Sequence, residues 1–237
     1  MKFSGSATLS ALKVNDDLEI SGSVKMDGNF ECNDFKSSGS LRGEGNLTVH
    51  GDLRNSGSFR LAGSVYVDGD LKISGSTAVD GEIITKGSLK NSGSLRVGKQ
   101  VSAGDDINVS GSAKINGNLT SEETIKVSGS CTVHGNVSGG EIYLGQERYL
   151  ALSVYKHSTK IYGNVTAKDK VVLIGALVEG DVRAKEVTIG KGTEVLGTVY
   201  YVDAIEVHEK SKLANNPIKV DDLEQGLKEK YSNYKDI

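Results

Sequence analysis

Side chains able to do covalent or metal chemistry are few in this chain. Histidine occurs at His50, His134, His157 and His208, and cysteine at Cys32 and Cys131. A histidine base needs an acceptor group within hydrogen-bond reach, and a zinc site needs Cys or His ligands at short, characteristic spacings. The sequence offers no such Cys/His spacing, no P-loop, no GxGxxG between a strand and a helix, and no paired acids placed for bond cleavage. The expectation is a non-enzyme with no catalytic, metal or cofactor-binding residue and no small-molecule substrate.

Whether any two of these side chains could cooperate depends on the elements that carry them, and a repeat sets those elements. From Gly39 to Gly93 glycine returns every six residues, and the triplet Ser-Gly-Ser is centred on Gly5, Gly22, Gly39, Gly57, Gly75, Gly93, Gly111 and Gly129. Its steps are 17, 17 and then 18 five times, and eighteen is three hexads. A fixed period of this size marks a solenoid. Each hexad reads Gly-x-aliphatic-x-apolar-x, as in Gly69-Asp70-Leu71-Lys72-Ile73-Ser74. Positions three and five of an extended segment share one side. Glycine is expected to provide the unusual backbone angles of a corner. Three short strands and three corners then close one triangular coil, and coils stack their aliphatic residues into a continuous core. The predicted fold is all-β, a single-stranded parallel β-helix of about 18 residues per coil and roughly eleven coils.

On this frame Cys32 takes position five of its hexad and Cys131 position three, both inward and several coils apart. They are too distant for a bridge or a shared metal, and two buried thiols fit a reducing cytoplasm. His50 and His134 take position six on different faces, about 24 Å apart at the strand spacing. All four histidines are expected at the surface. A hexapeptide acyltransferase would carry an aliphatic residue just before each glycine, where this chain has Ser74, His50 and Lys86.

The formal charge of −3 gives no reason to expect nucleic acid. No apolar run approaches the roughly 20 residues of a membrane span. Met1-Lys2-Phe3-Ser4-Gly5 leads into the repeat without an apolar leader core. Residues 1–137 read as coils. Gly135-Asn136-Val137 finds its next equivalent at Gly163-Asn164-Val165, 28 residues on, so 138–157 read as an inserted loop with Tyr149, Leu150 and Leu152. Coils resume over 158–212. Pro217 is expected to end the solenoid, and Val220, Leu223, Leu227, Tyr231 and Tyr234 predict a helix or tail within 213–237.

Position four of each hexad should point outward, so stacking converts sequence into columns. The first face carries Lys25, Arg42, Arg60, Arg96 and Lys114. The third carries Arg54, Lys72, Lys90 and Lys126. The second is neutral, with Thr48, Tyr66, Ile84 and Thr120. The basic faces are candidates for an anionic surface or partner, and the neutral face for lateral contact. A solvated surface balanced by corner acids such as Asp52 and Asp70 is the plainer alternative. The serine ladders beside the corner glycines are explained by corner hydrogen bonds.

Three stretches, Ser158-Thr-Lys-Ile-Tyr-Gly-Asn-Val165, Leu177-Val-Glu-Gly-Asp-Val182 running on to Ile189, and Val195-Leu-Gly-Thr-Val-Tyr-Tyr201, together with the glycine-spaced coils before them, resemble the bactofilins. These are polymer-forming cytoskeletal proteins of bacteria. The resemblance implies a right-handed β-helix that assembles end to end without nucleotide at the cytoplasmic membrane. It implies a scaffold for cell shape, wall enzymes or motility organelles, with itself, a second bactofilin, or membrane and cell-wall proteins as partners. Two features depart from the family pattern: coils begin almost at Met1, where many members carry a membrane-targeting tail, and the solenoid is longer.

A β-helix end exposes strand edges and a section of core, a template for another chain. The expected stacking residues are Phe3, Leu9 and Leu12 at one end and Val199, Tyr200, Val202, Ile205 and Val207 at the other. The rival expectation is a monomeric or small-oligomer binding module with capped ends.

Overall fold

The computed structural model describes residues 1–145 and 157–223. Among the described residues thirty short strands join one sheet wound into a parallel β-solenoid of about 12 turns, with equivalent residues about 18 apart. The all-β class and the coil length match the sequence expectation. One central coil shows the register. Val65 pairs with Ile83 on the second face, Leu71 with Leu89 on the third, and Thr77 with Leu95 on the first. Where coils are 18 residues long, hexad equivalents stay in line, so positions three and five stack inward. Leu47, Leu71, Ile83, Leu89, Ile107, Ile125 and Val165 are at most 2% exposed. Each such side chain contributes about 1.5–3 kcal/mol on burial, offset by the backbone entropy of the residues that the coil fixes.

The reason for glycine at the corners differs from the expectation. None of the Ser-Gly-Ser glycines has positive φ; Gly28, Gly145, Gly175 and Gly192 do. The corners instead stack backbone on backbone. A Cβ at Gly57, Gly75 or Gly93 would meet the carbonyl oxygen of the glycine one coil below, well inside the 3.0 Å that real Cβ contacts keep. Close approach, not a left-handed turn, demands glycine there.

At the other two corners polar side chains bridge successive coils. The N–H groups of Asp52, Asp70 and Ser88 donate to the Oδ1 atoms of Asp34, Asp52 and Asp70, each at 2.9 Å. On the corner between the first and second faces, Asn136 donates to Asn118 Oδ1 and Asn164 to Asn136 Oδ1 at 2.9 Å, and Asp181 to Asn164 Oδ1 at 2.8 Å. These ladders satisfy corner N–H groups that no strand partner reaches.

Two boundaries move. Residues 138–145 are not inserted loop: Val137–Gly145 is one strand, with Ile142 and Leu144 in the core, paired to Thr124–Val127 below and Val165–Ile174 above. The extra length therefore falls after Gly145, and Tyr149, Leu150 and Leu152 lie outside the described residues. The solenoid also continues past Lys212. Lys212–Leu213 pairs with Glu194–Val195, and Ile218–Lys219 pairs with Tyr200 and Tyr201. Val220 is buried, at 7% exposure, and its N–H donates to Tyr201 O at 2.9 Å, so it does not belong to a helix. Pro217 sits at the corner before the last short strand, an edge position where a missing N–H breaks no ladder. The helical reading of Leu227, Tyr231 and Tyr234 lies outside the described residues. The coil number rises from eleven to about 12.

Candidate functional site: the ends and faces of the solenoid

The described chemistry-bearing side chains remain dispersed. Cys32 and Cys131 are free and buried, and burial pushes each thiol up to about 12. At Cys32 the nearby Asp17 and Asp34 carboxylates add to that effect. His50 is exposed and bridges two coils, Nδ1 lying 3.1 Å from Asp68 Oδ2 and Nε2 2.8 Å from Glu31 Oε1. Glu31 is the larger cause of its raised pKa. His134 stacks on Tyr162 with ring centroids 4.8 Å apart. His157 contradicts the surface expectation. Its side chain is 6% exposed, with Nε2 3.5 Å from Glu194 Oε2. Among the described residues no group of three His, Cys, Asp or Glu is disposed to hold a metal ion.

A cavity lined by Leu53, Asn55, Phe59, Leu71 and Thr77 has a volume of about 10 Å³, space for about one water. Asn55 and Thr77 satisfy each other there, with Asn55 Nδ2 donating to Thr77 Oγ1 at 2.9 Å.

The outward columns fall where the hexads place them. On the first face Lys25, Arg42, Arg60, Ala78, Arg96 and Lys114 follow in ladder register, all but Ala78 exposed. On the third, Lys36, Arg54, Lys72, Lys90, Asn108 and Lys126 do the same. Lys25 pairs with Glu44 at 3.5 Å and Arg54 with Asp52 at 3.2 Å; Lys126 lies 6.0 Å from the Tyr143 ring centroid. The second face stacks Thr48, Tyr66, Ile84, Ser102, Thr120 and Ser138. It then changes character at Arg183, which is buried against Asp181 at 2.9 Å and lies 4.5 Å over the Tyr200 ring. Nothing in the hexad pattern marks that buried ion pair.

No family model, curated protein or solved structure matches this chain.

The ends divide the expected stacking residues. Phe3, Leu9 and Leu12, with Ala7 and Val14, are only partly buried, whereas their equivalents one coil in, Ile20, Met26 and Phe30, are at most 3% exposed. At the far end Ile205 is partly buried and Val207 is 48% exposed, above Val187 and Ile189 in the core. Val199 does not belong to that surface, being 1% exposed. Tyr200 lies on the outward column one coil beyond Arg183. Tyr201, which the sequence reading passed over, holds the inward position. Val202 falls in the register shift between Ala184 and Glu186 and has no ladder partner. Each long strand in this part of the rod runs through such a shift, and alternation alone does not reveal its place.

Proposed function

We propose that this chain is a non-enzymatic scaffold subunit of bactofilin type that stacks end to end without nucleotide. It works in the cytoplasm at the inner face of the membrane and positions partner proteins for morphogenesis or motility. One observation carries the reading. Gly5 keeps the Ser-Gly-Ser signature, yet nothing lies within 4 Å of where its Cβ would be. At every later triplet the glycine is required by the backbone of the coil below. A second copy beneath the first coil would give Gly5 the same reason to be glycine. The half-exposed Phe3, Leu9 and Leu12 would then be covered, and the unpaired strand edge would gain a partner.

The test is negative-stain microscopy of the purified chain at several salt concentrations with no nucleotide added. Filaments are the expected result. Gly5→Val should shorten or abolish them while leaving the melting temperature of the single rod unchanged. Uniform short rods from the unaltered chain at every concentration would overturn the reading. They would favour a capped binding module, for which the packing of Val220 onto the last coil is the supporting contact.

A further inference from the structure

The two ends of the solenoid are in phase. The chain enters on the third face with Lys2–Phe3, and the last strand among the described residues, Ile218–Lys219, lies on the second. The strand due next on the spiral is a third-face strand over Ile205, Glu206 and Val207, and a third-face strand is what another copy brings first. The ladders give the register of that junction. On the third face an unbroken outward column runs from Lys2 through Glu19, Lys36 and Lys126 to Glu206, and the inward column beside it runs from Phe3 to Val207. On the first face Thr8 shares its column with Lys212, and Leu9 shares its own with Leu213.

The far end of another copy, placed one coil beneath the first, sets Val207 under Phe3 and Leu213 under Leu9, apolar on apolar. It also sets Glu206 under Lys2. Lys2 Nζ lies 2.7 Å from Glu19, whose carboxylate is 3.9 Å from Lys36. Glu206 is exposed and makes no ion pair among the described residues. An ammonium has three donors, so Lys2 can hold both carboxylates and carry the alternation Glu206, Lys2, Glu19, Lys36 across the junction. From this match we infer that copies of this chain stack head to tail, the Lys2 end of one on the Glu206 end of the next. The inference rests on the end-to-end reading above and adds its direction and register. The apolar columns supply the affinity; the exposed ion pair contributes little of it and fixes the orientation. Stacking like ends would reverse the strands at every junction and part Lys2 from Glu206. Head-to-tail contact is heterologous, so the filament extends without closing and its two tips differ.

The experiment is oxidative cross-linking of full-length cysteine variants, read on non-reducing gels beside negative-stain images of the same samples. Thr8 and Lys212 are both exposed on the outward column, so Thr8→Cys and Lys212→Cys leave the core intact. Head-to-tail stacking brings these two positions to about 4.8 Å, the spacing of neighbouring strands and within the Cα separation that a disulfide spans. The native Cys32 and Cys131 are buried. Neither variant alone should be linked. Their equal mixture should give dimers and nothing larger, and the chain carrying both substitutions should give a ladder of higher oligomers. Lys13→Cys with Ile218→Cys, exposed on the second face, should repeat the pattern. Filaments in which one variant alone is linked into dimers would mean that like ends meet. That result, or filaments whose mixtures stay unlinked at both pairs of positions, would overturn the polarity and leave end-to-end stacking standing. An unaltered chain that forms no filaments would remove the stacking itself and this inference with it.

Discussion

The coils of residues 39–137 and those of 157–213 build the same solenoid by different means. In the first region backbone stacks on backbone at the Ser-Gly-Ser corner, and each coil is three separate strands of three or four residues. In the second, Val165–Ile174, Val182–Ile189 and Val199–Val207 run through the corner between the second and third faces without a break. Ion pairs span that corner, Lys170 with Glu186 at 2.9 Å and Lys185 with Asp169 at 2.6 Å. Both regions bury polar residues, Asn55, Thr77, Thr85 and Asn91 in the first and Thr159, Asp181, Arg183 and Thr193 in the second. A glycine corner fixes the coil spacing by close backbone contact. A corner through which the strand runs on is spanned by side chains instead and accommodates a register shift.

The sharpest way to break this contrast is to add one carbon at a corner of each kind. Gly75→Ala drives a Cβ into the Gly57 carbonyl with no flexible group to yield, so the coils must part. A loss of more than about 4 kcal/mol is expected. Gly175→Ala meets nothing within 4 Å but must hold φ near 62°, a strain of about 1–2 kcal/mol. Urea unfolding of both variants checks the ranking, and equal losses would show that conformation and not stacking governs the corner.

The second-largest effect is on assembly. Leu9→Asp and Val207→Asp place a charge on the core section at opposite ends of the rod, and each should abolish filaments seen by negative stain. The equivalent change on the outward column, Thr120→Asp, should leave them. Filaments that persist with both end substitutions would sink end-to-end stacking.

What the sequence disclosed and what it hid follow the same division. Where glycine recurs every six residues, hexad position fixed the faces from Lys25 to Lys126 and the inward place of Cys32 and Cys131. Where glycine leaves the corner, the rhythm misleads. Gly139 and Gly140 lie inside the strand Val137–Gly145, and their loss of register resembled a loop. Pro217 resembled a stop because an internal strand rejects proline, but an edge strand does not. The corner ladder was present in the spacing of Asn118, Asn136 and Asn164. Its role needed the three-dimensional fact that each Oδ1 lies one coil below an unpaired N–H. The burial of Arg183 and His157 depends on what packs over a face, which one-dimensional periodicity does not contain.

A smaller effect tests those ladders. Asn164→Ala removes the acceptor for the Asp181 N–H at a corner whose spacing no Ser-Gly-Ser contact fixes. A loss of about 0.5–1.5 kcal/mol is expected, read as a fall in melting temperature, whereas Asn164→Asp, which keeps the acceptor, should recover most of it. Equal losses in the two variants would mean that packing and not the hydrogen bond holds this corner.

The smallest expected effect separates the two regions by pH. His50 bridges Glu31 and Asp68 in the first region, and hydrogen bonds to both carboxylates, Glu31 foremost, raise its pKa above the ordinary histidine value. A raised pKa means that the folded state binds the proton more tightly than the unfolded state. The contribution is therefore complete below the unfolded value, about 6.5, and is lost as pH rises through the higher folded value. The Lys185–Asp169 pair of the second region has no such window near neutrality, because Asp169 raises a lysine pKa that already lies far above it. Thermal melts of the unaltered chain and of His50→Gln at pH 5.5 and pH 8.5 (values bracketing an ordinary histidine) should differ at about pH 5.5 and converge at about pH 8.5. Lys185→Met should show the same shift at both. Convergence at low pH and divergence at high pH would reverse the sign and remove His50 as a charged bridge between coils.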